Sequence, residues 1–128
     1  MEYYFAKTVS LPFDATIAKV TDALKARGFG VLTTIDVKET MKKKLDIDFR
    51  PYTILGACNP PFAHKALQAE DKIGTMLPCN VIVQELRPGE VEVAAIDPVA
   101  SMQAVKNPNL AEIAGTVRRL LKETVESL

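Results

Sequence analysis

The residues with the widest chemical reach in this chain are two thiols and their neighbours. Cys58 and Cys79 are each followed directly by asparagine, giving Cys58-Asn59 and Cys79-Asn80. Each pair falls where a strand-like run meets another element. Cys58 immediately precedes a helix-start signal, and the free N–H groups of a helix N-terminus can lower a thiol pKa. Two thiols brought together could form a reversible disulfide, carry a persulfide or hold a soft metal. Two amides beside them could orient a small polar ligand. Packing offers another account of every one of these residues. A free cysteine is among the most buried residue types and behaves as a small hydrophobe. The twenty residues between Cys58 and Cys79 match neither a redox nor a zinc spacing. Asn59 suits a helix N-cap, worth about 1 kcal/mol, and Asn80 suits a bond to loop backbone.

His64 is the single histidine. It would serve as a third ligand beside Cys58 and Cys79 for zinc or copper. Against that, it lies on the margin of a short helix whose apolar side is Ala63, Ala66 and Leu67, where a histidine is simply solvated. A structural zinc site would still lack a fourth ligand. No Ser-His-Asp spacing is visible, and any histidine-dependent catalysis must use His64. Lys42, Lys43 and Lys44 precede Asp46 and Asp48, which reads as a solvated helix end favoured by the dipole rather than a phosphate site. Gly28-Phe29-Gly30 follows a helix instead of a strand and lacks the third glycine of a dinucleotide loop.

The elements that must position these groups follow from periodicity. Tyr3–Val9 is aromatic and β-branched enough for a strand. Pro12 opens a helix, Phe13, Ile17, Val20 and Leu24 make its apolar stripe, and Gly28 ends it. Val31–Val37 is a second strand, Lys38–Lys44 a short helix, and Tyr52–Ala57 a third strand. Asn59-Pro60 starts a helix running to about Ala69, and 71–77 is a loop. A fourth strand runs from Pro78 to Leu86, Arg87–Glu90 turns, and Val91–Ile96 is a fifth strand stopped by Asp97-Pro98. The last helix begins either at Asn107-Pro108 or with an Asn109–Glu112 capping box. Its apolar face carries Leu110, Ile113, Ala114, Val117, Leu120, Leu121, Val125 and Leu128. Strands four and five alternate, with Cys79, Val81 and Val83 facing one way and Asn80, Ile82 and Gln84 the other. The first face is core. The second is mixed, the composition of a groove or a subunit interface.

Composition narrows the partners. With 48% apolar and 25% charged residues the chain is globular, and 128 residues make one domain, 1–128. Sixteen basic residues cancel sixteen acidic ones, leaving no field to draw the protein to nucleic acid or anionic lipid. Two cysteines are too few for a secreted disulfide scaffold. No apolar run approaches the roughly 20 residues that span a bilayer, and Met-Glu-Tyr-Tyr-Phe lacks the regions of a signal peptide. The expectation is a cytoplasmic protein with no nucleic-acid or membrane partner and no cofactor.

At strands three and four the sequence resembles a known family. Ile54-Leu55-Gly56-Ala57-Cys58-Asn59-Pro60 and Leu77-Pro78-Cys79-Asn80-Val81-Ile82-Val83 are similar to the bacterial and archaeal family catalogued as domain of unknown function 302. Gly28-Phe29-Gly30-Val31, Ile35-Asp36-Val37 and Asp97-Pro98 fit its pattern too, and the resemblance covers nearly the whole chain. It implies an α+β fold similar to the TATA-binding-protein-like class: a curved antiparallel five-stranded sheet with helices packed on one face. It also implies the strand order one, five, four, three, two, and homodimers. No activity comes with it, and the fold's name carries no DNA binding, because function lives in sites.

Three functional expectations stand together. The first is a homodimeric cytoplasmic module binding a small polar or sulfur-containing ligand near Cys58, Asn59, Cys79 and Asn80. The second is a structural or interaction module whose cysteines are packing. The third is a metal-binding protein using Cys58, Cys79 and His64.

Overall fold

Strand alternation and helix periodicity resolve into two layers. The computed structural model describes residues 2–128. In chain order it has β1 (Tyr4–Val9), α1 (Phe13–Ala26), β2 (Gly30–Asp36), α2 (Val37–Leu45), β3 (Tyr52–Cys58) and α3 (Pro60–Ala69). A 3-10 segment (Asp71–Met76), β4 (Cys79–Arg87), β5 (Glu90–Ile96), α4 (Pro98–Ser101) and α5 (Pro108–Glu126) follow. The sheet is open, in the order β1-β5-β4-β3-β2, and every pairing is antiparallel. The α+β class and the strand order are therefore as expected.

Alternation decides which face is covered. Leu55 and Ala57 of β3, Cys79, Val81 and Val83 of β4, and Val91, Val93 and Ala95 of β5 all turn toward the helical layer. They meet Val20 and Leu24 of α1 and Val117, Leu121 and Val125 of α5. Leu24 and Leu121 are completely buried, and each such side chain contributes roughly 1.5–3 kcal/mol of transfer free energy. A second, smaller cluster joins Ala66 of α3, Ile73 of the 3-10 segment, Met102 after α4, and Leu110 and Ala114 of α5. The apolar face of α5 is thus shared. Its C-terminal half packs on the sheet and its first turns pack on the α3–α4 side.

Helix ends follow local chemistry. Gly28, at φ +86°, closes α1: its N–H bonds the Lys25 carbonyl at 3.1 Å and the Phe29 N–H bonds the Leu24 carbonyl at 3.0 Å. That double return needs a left-handed residue, which glycine adopts without penalty. Asp36 ends β2 one residue sooner than periodicity suggests, because its carboxylate accepts from the Glu39 N–H (2.9 Å) and starts α2 at Val37. Residues 71–77, expected to be a loop, are mostly 3-10 helix. Asp97 does stop β5, but it also caps the short helix α4, accepting from the Val99 N–H at 3.0 Å. Asn107 accepts from the Asn109 N–H (3.1 Å), so α5 begins at Pro108 and the alternative capping box is not used. The Leu77–Pro78 bond is cis. Among the described residues no helix is long and apolar enough to cross a membrane.

An apolar cavity at the thiol-bearing strand ends

The antiparallel return from β3 to β4 pairs Ala57 with Cys79. Cys58, the last residue of β3, therefore lies next to the first residue of β4, and the two thiol-bearing junctions share one end of the sheet. At that end a cavity of about 370 Å³ separates the main core from the smaller cluster. Cys58, Asn59 and Cys79 all line it. The remaining wall comes from Phe29, Phe62, Leu77, Pro78, Met102, Leu110 and their neighbours, and no charged residue is among them.

Each wall residue is held by a different part of the fold. Cys79 stands on the core face of β4 and is 9% exposed. Burial, and secondarily the proximity of Cys58, push its pKa from 9.0 up to about 11. It is a neutral thiol at physiological pH, and no thiolate nucleophile resides there. Cys58 is half-buried, and neither cysteine is in a disulfide. Asn59 is buried, but it does not cap α3 with its side chain, contrary to the sequence reading. Its Nδ2 donates instead to the Arg27 carbonyl at 3.3 Å. This bond ties the start of α3 to the end of α1, and a Cβ on Gly28 would sit only 3.1 Å from the same nitrogen. The Nδ2 donor is thus engaged by the backbone.

Asn80 does not join the other three. It is the next residue along a regular strand, so it turns to the opposite face of the sheet, where it is exposed. There it lines a depression, also of about 370 Å³, with Tyr3, Tyr4, Tyr52, Gln84 and Glu92. All three tyrosines of the chain border that depression. Gly56, opposite Asn80 in β3, lies beneath Thr33 and beside Pro78, and a side chain there would collide with both. His64 is exposed. Among the described residues no three His, Cys, Asp or Glu side chains are grouped to hold a metal ion. Cys58, Cys79 and His64 are accordingly not a ligand set. The helix carrying His64 turns it to solvent.

Two features of this region escaped sequence reasoning. One is the α4–α5 wall. The periodic run Leu110, Ile113, Ala114, Val117 is visible in the chain, but nothing in it says that its first turns face a cavity rather than the sheet. The other is Asp97, whose carboxylate is 6% exposed and pairs with Arg118 at 3.1 Å, while the Arg118 guanidinium lies 5.1 Å above the Phe5 ring. The Asp97-Pro98 stop signal hinted at a cap but not at this tie between β5, α5 and β1.

An α+β module with an open antiparallel sheet, one helical layer and an apolar cavity at a strand end is the class these features define. The chain belongs to the family of the Domain of unknown function DUF302, whose model matches residues 5–128. It is also similar in structure to the uncharacterized conserved protein DUF302 from Bacillus stearothermophilus, solved as a crystal structure. The two share 29% identity at a TM-score of 0.90, covering 98% of this chain and 98% of that one. No curated protein matches the chain.

Proposed function

We propose that this protein is a single-domain, cytoplasmic small-molecule-binding module, and that its ligand occupies the cavity beside Cys58, Asn59 and Cys79. The observation that carries this reading is the cavity itself. A pocket of about 370 Å³, open to solvent on one side, lies within the usual range of ligand pockets, and its wall is apolar where that of the equally large depression on the other face is mixed. Asn80, on the other face of the sheet, is left out of the site. The thiols serve as soft, weakly polar wall groups, and no covalent step is assigned to them.

Naphthalene is a suitable neutral probe. It should raise the melting temperature, shift the amide resonances of Cys79, Leu110 and Ala114, and slow alkylation of Cys58 by iodoacetamide. Ala63→Trp, which fills the cavity from α3, should abolish all three effects and keep a cooperative melt. If naphthalene produces none of them, and small metabolites also leave the melting temperature unmoved, the module is structural only and both cysteines are packing.

A second proposal concerns the other face of the sheet. Ala6, Ala94, Ile82, Ile54 and Ile35 stand opposite one another across all five strands. Ile35 is 48% exposed. Beside this row the polar groups are already bonded to one another: Arg50 Nε donates to Gln84 Oε1 and Gln84 Nε2 to Glu92 Oε1, both at 2.9 Å. An apolar stripe between self-satisfied polar residues and three tyrosines has the composition of an interface core. A second copy of the chain, applied through this face, is the proposed occupant.

A further inference from the structure

Met102 sits at a junction that the cavity alone does not reveal. Together with Leu110 and Ala114 it lines both the main cavity and a second one of about 230 Å³, whose far wall includes Val99, Gln103, Val105 and Ala111. The two spaces lie back to back across these three side chains. Leu110 is pinned in the smaller cluster at 2% exposure, and Ala114 is too short to move out of the way. Methionine is unbranched and flexible, the side chain best able to re-pack. Met102 also stands outside regular helix, at the C-terminal end of the four-residue α4 (φ −103°, ψ 13°).

The wall chemistry specifies what could occupy such a tandem space. Asn59 is the one lining residue of the main cavity with a side-chain amide, its Nδ2 already donating to the Arg27 carbonyl, and Gln103 brings an uncharged amide to the second. Among the described residues no buried side-chain nitrogen or oxygen is left without a partner. A charged group drawn inside would lose its hydration and find no counter-charge. Methylene groups would lose nothing.

Resting on the binding function proposed above, we infer that the buried part of the ligand is an uncharged, unbranched apolar chain, and that Met102 sets the chain length the protein accepts. In the resting arrangement the main cavity, more than twice the ~150 Å³ that takes up one benzene, defines the limit. Displacement of Met102 adds the second space in line with the first.

Calorimetric titration with n-alkanols of six to fourteen carbons tests this on the full chain. Affinity should rise about fourfold per methylene up to a limiting length and then level off. Met102→Ala should move that limit to longer chains by about two carbons or more, whereas Met102→Leu, which conserves volume, should leave it in place. Decanedioate, charged at both ends, should bind at least 100-fold more weakly than decan-1-ol. An unchanged limit in Met102→Ala overturns the role of Met102, and equal binding of decanedioate overturns the uncharged chain. Both results leave a small-molecule site standing. Absence of any alkanol binding, with naphthalene also inert, removes the site and this inference together.

Discussion

At the scale of single residues, two buried polar groups carry distinct consequences. Cys79 has its thiol pKa raised from 9.0 to about 11, so the folded state holds a proton that the unfolded chain releases first. Below pH 9 both states are protonated and Cys79 contributes nothing to pH dependence. Between pH 9 and 11 the unfolded chain ionises and stability falls, by about 2–3 kcal/mol over the window. Urea unfolding at pH 8 and pH 10.5 should show this drop, and Cys79→Ala should flatten it. The same burial makes Cys58 the faster of the two thiols toward iodoacetamide at pH 8, which peptide mapping after brief labelling would resolve. Asp97 is the other group. One carboxylate oxygen caps α4 and the other pairs with Arg118. Asp97→Ala removes both interactions and should cost about 2–3 kcal/mol, read from the denaturation midpoint. Asp97→Asn keeps a capping acceptor and should lose about half as much.

At the scale of elements, the junction of α1, β2 and α3 depends on one glycine and one asparagine. Gly28 adopts φ +86°, and an L side chain there costs on the order of 1–2 kcal/mol from backbone strain alone. The added Cβ would also press on Asn59 Nδ2 at 3.1 Å. Asn59→Ala should cost about 1 kcal/mol for the lost bond to Arg27. The two changes share a contact, so the double variant Gly28→Ala/Asn59→Ala should be less destabilised than the sum of the singles. Strict additivity in urea melts would show that the two residues do not press on each other. The α5 helix illustrates how one stripe does two jobs. Leu121 is fully buried against the sheet, and Leu121→Ala should cost about 2–5 kcal/mol. Leu110 of the same stripe borders both cavities, so Leu110→Ala should also enlarge the space available to an alkanol.

At the scale of the whole molecule, the sheet has one face buried under helices and one face carrying an apolar row. The proposed dimer uses that row. Sedimentation equilibrium should give twice the chain mass, and Ile54→Glu with Ile82→Glu should return it to the monomer with the helical circular dichroism intact. A monomeric wild type at 100 μM would sink the interface. A dimer that survives both substitutions would place the contact elsewhere. The main cavity lies at the end of the sheet and is walled by α3 and α5, so dimerisation and ligand uptake should be separable, with Ala63→Trp blocking the second and sparing the first.

Much of this was legible in the chain itself because local rules decided it. Period-two alternation in Cys79–Gln84 and Val91–Ile96 dictated which side chains enter the core, and Gly28, Asp97 and Asn107 marked where elements stop and start. These signals depend only on neighbours in sequence, and tertiary packing did not overrule them. Where local rules were consulted for something non-local, they misled: Asn59 looked like a cap because it precedes Pro60, yet a carbonyl thirty-two residues earlier claimed its amide. The strand order came by family resemblance, not from periodicity. The antiparallel pairing of β3 with β4 set Cys58 beside Cys79, whereas alternation along the strand already puts Asn80 on the far face. A void of about 370 Å³ has no signature in any local pattern, since a stripe of apolar residues reads the same whether its partner is packed against it or missing. Only the mutual placement of α3, α4 and α5 over the strand ends decides that, and with it where a ligand would have room.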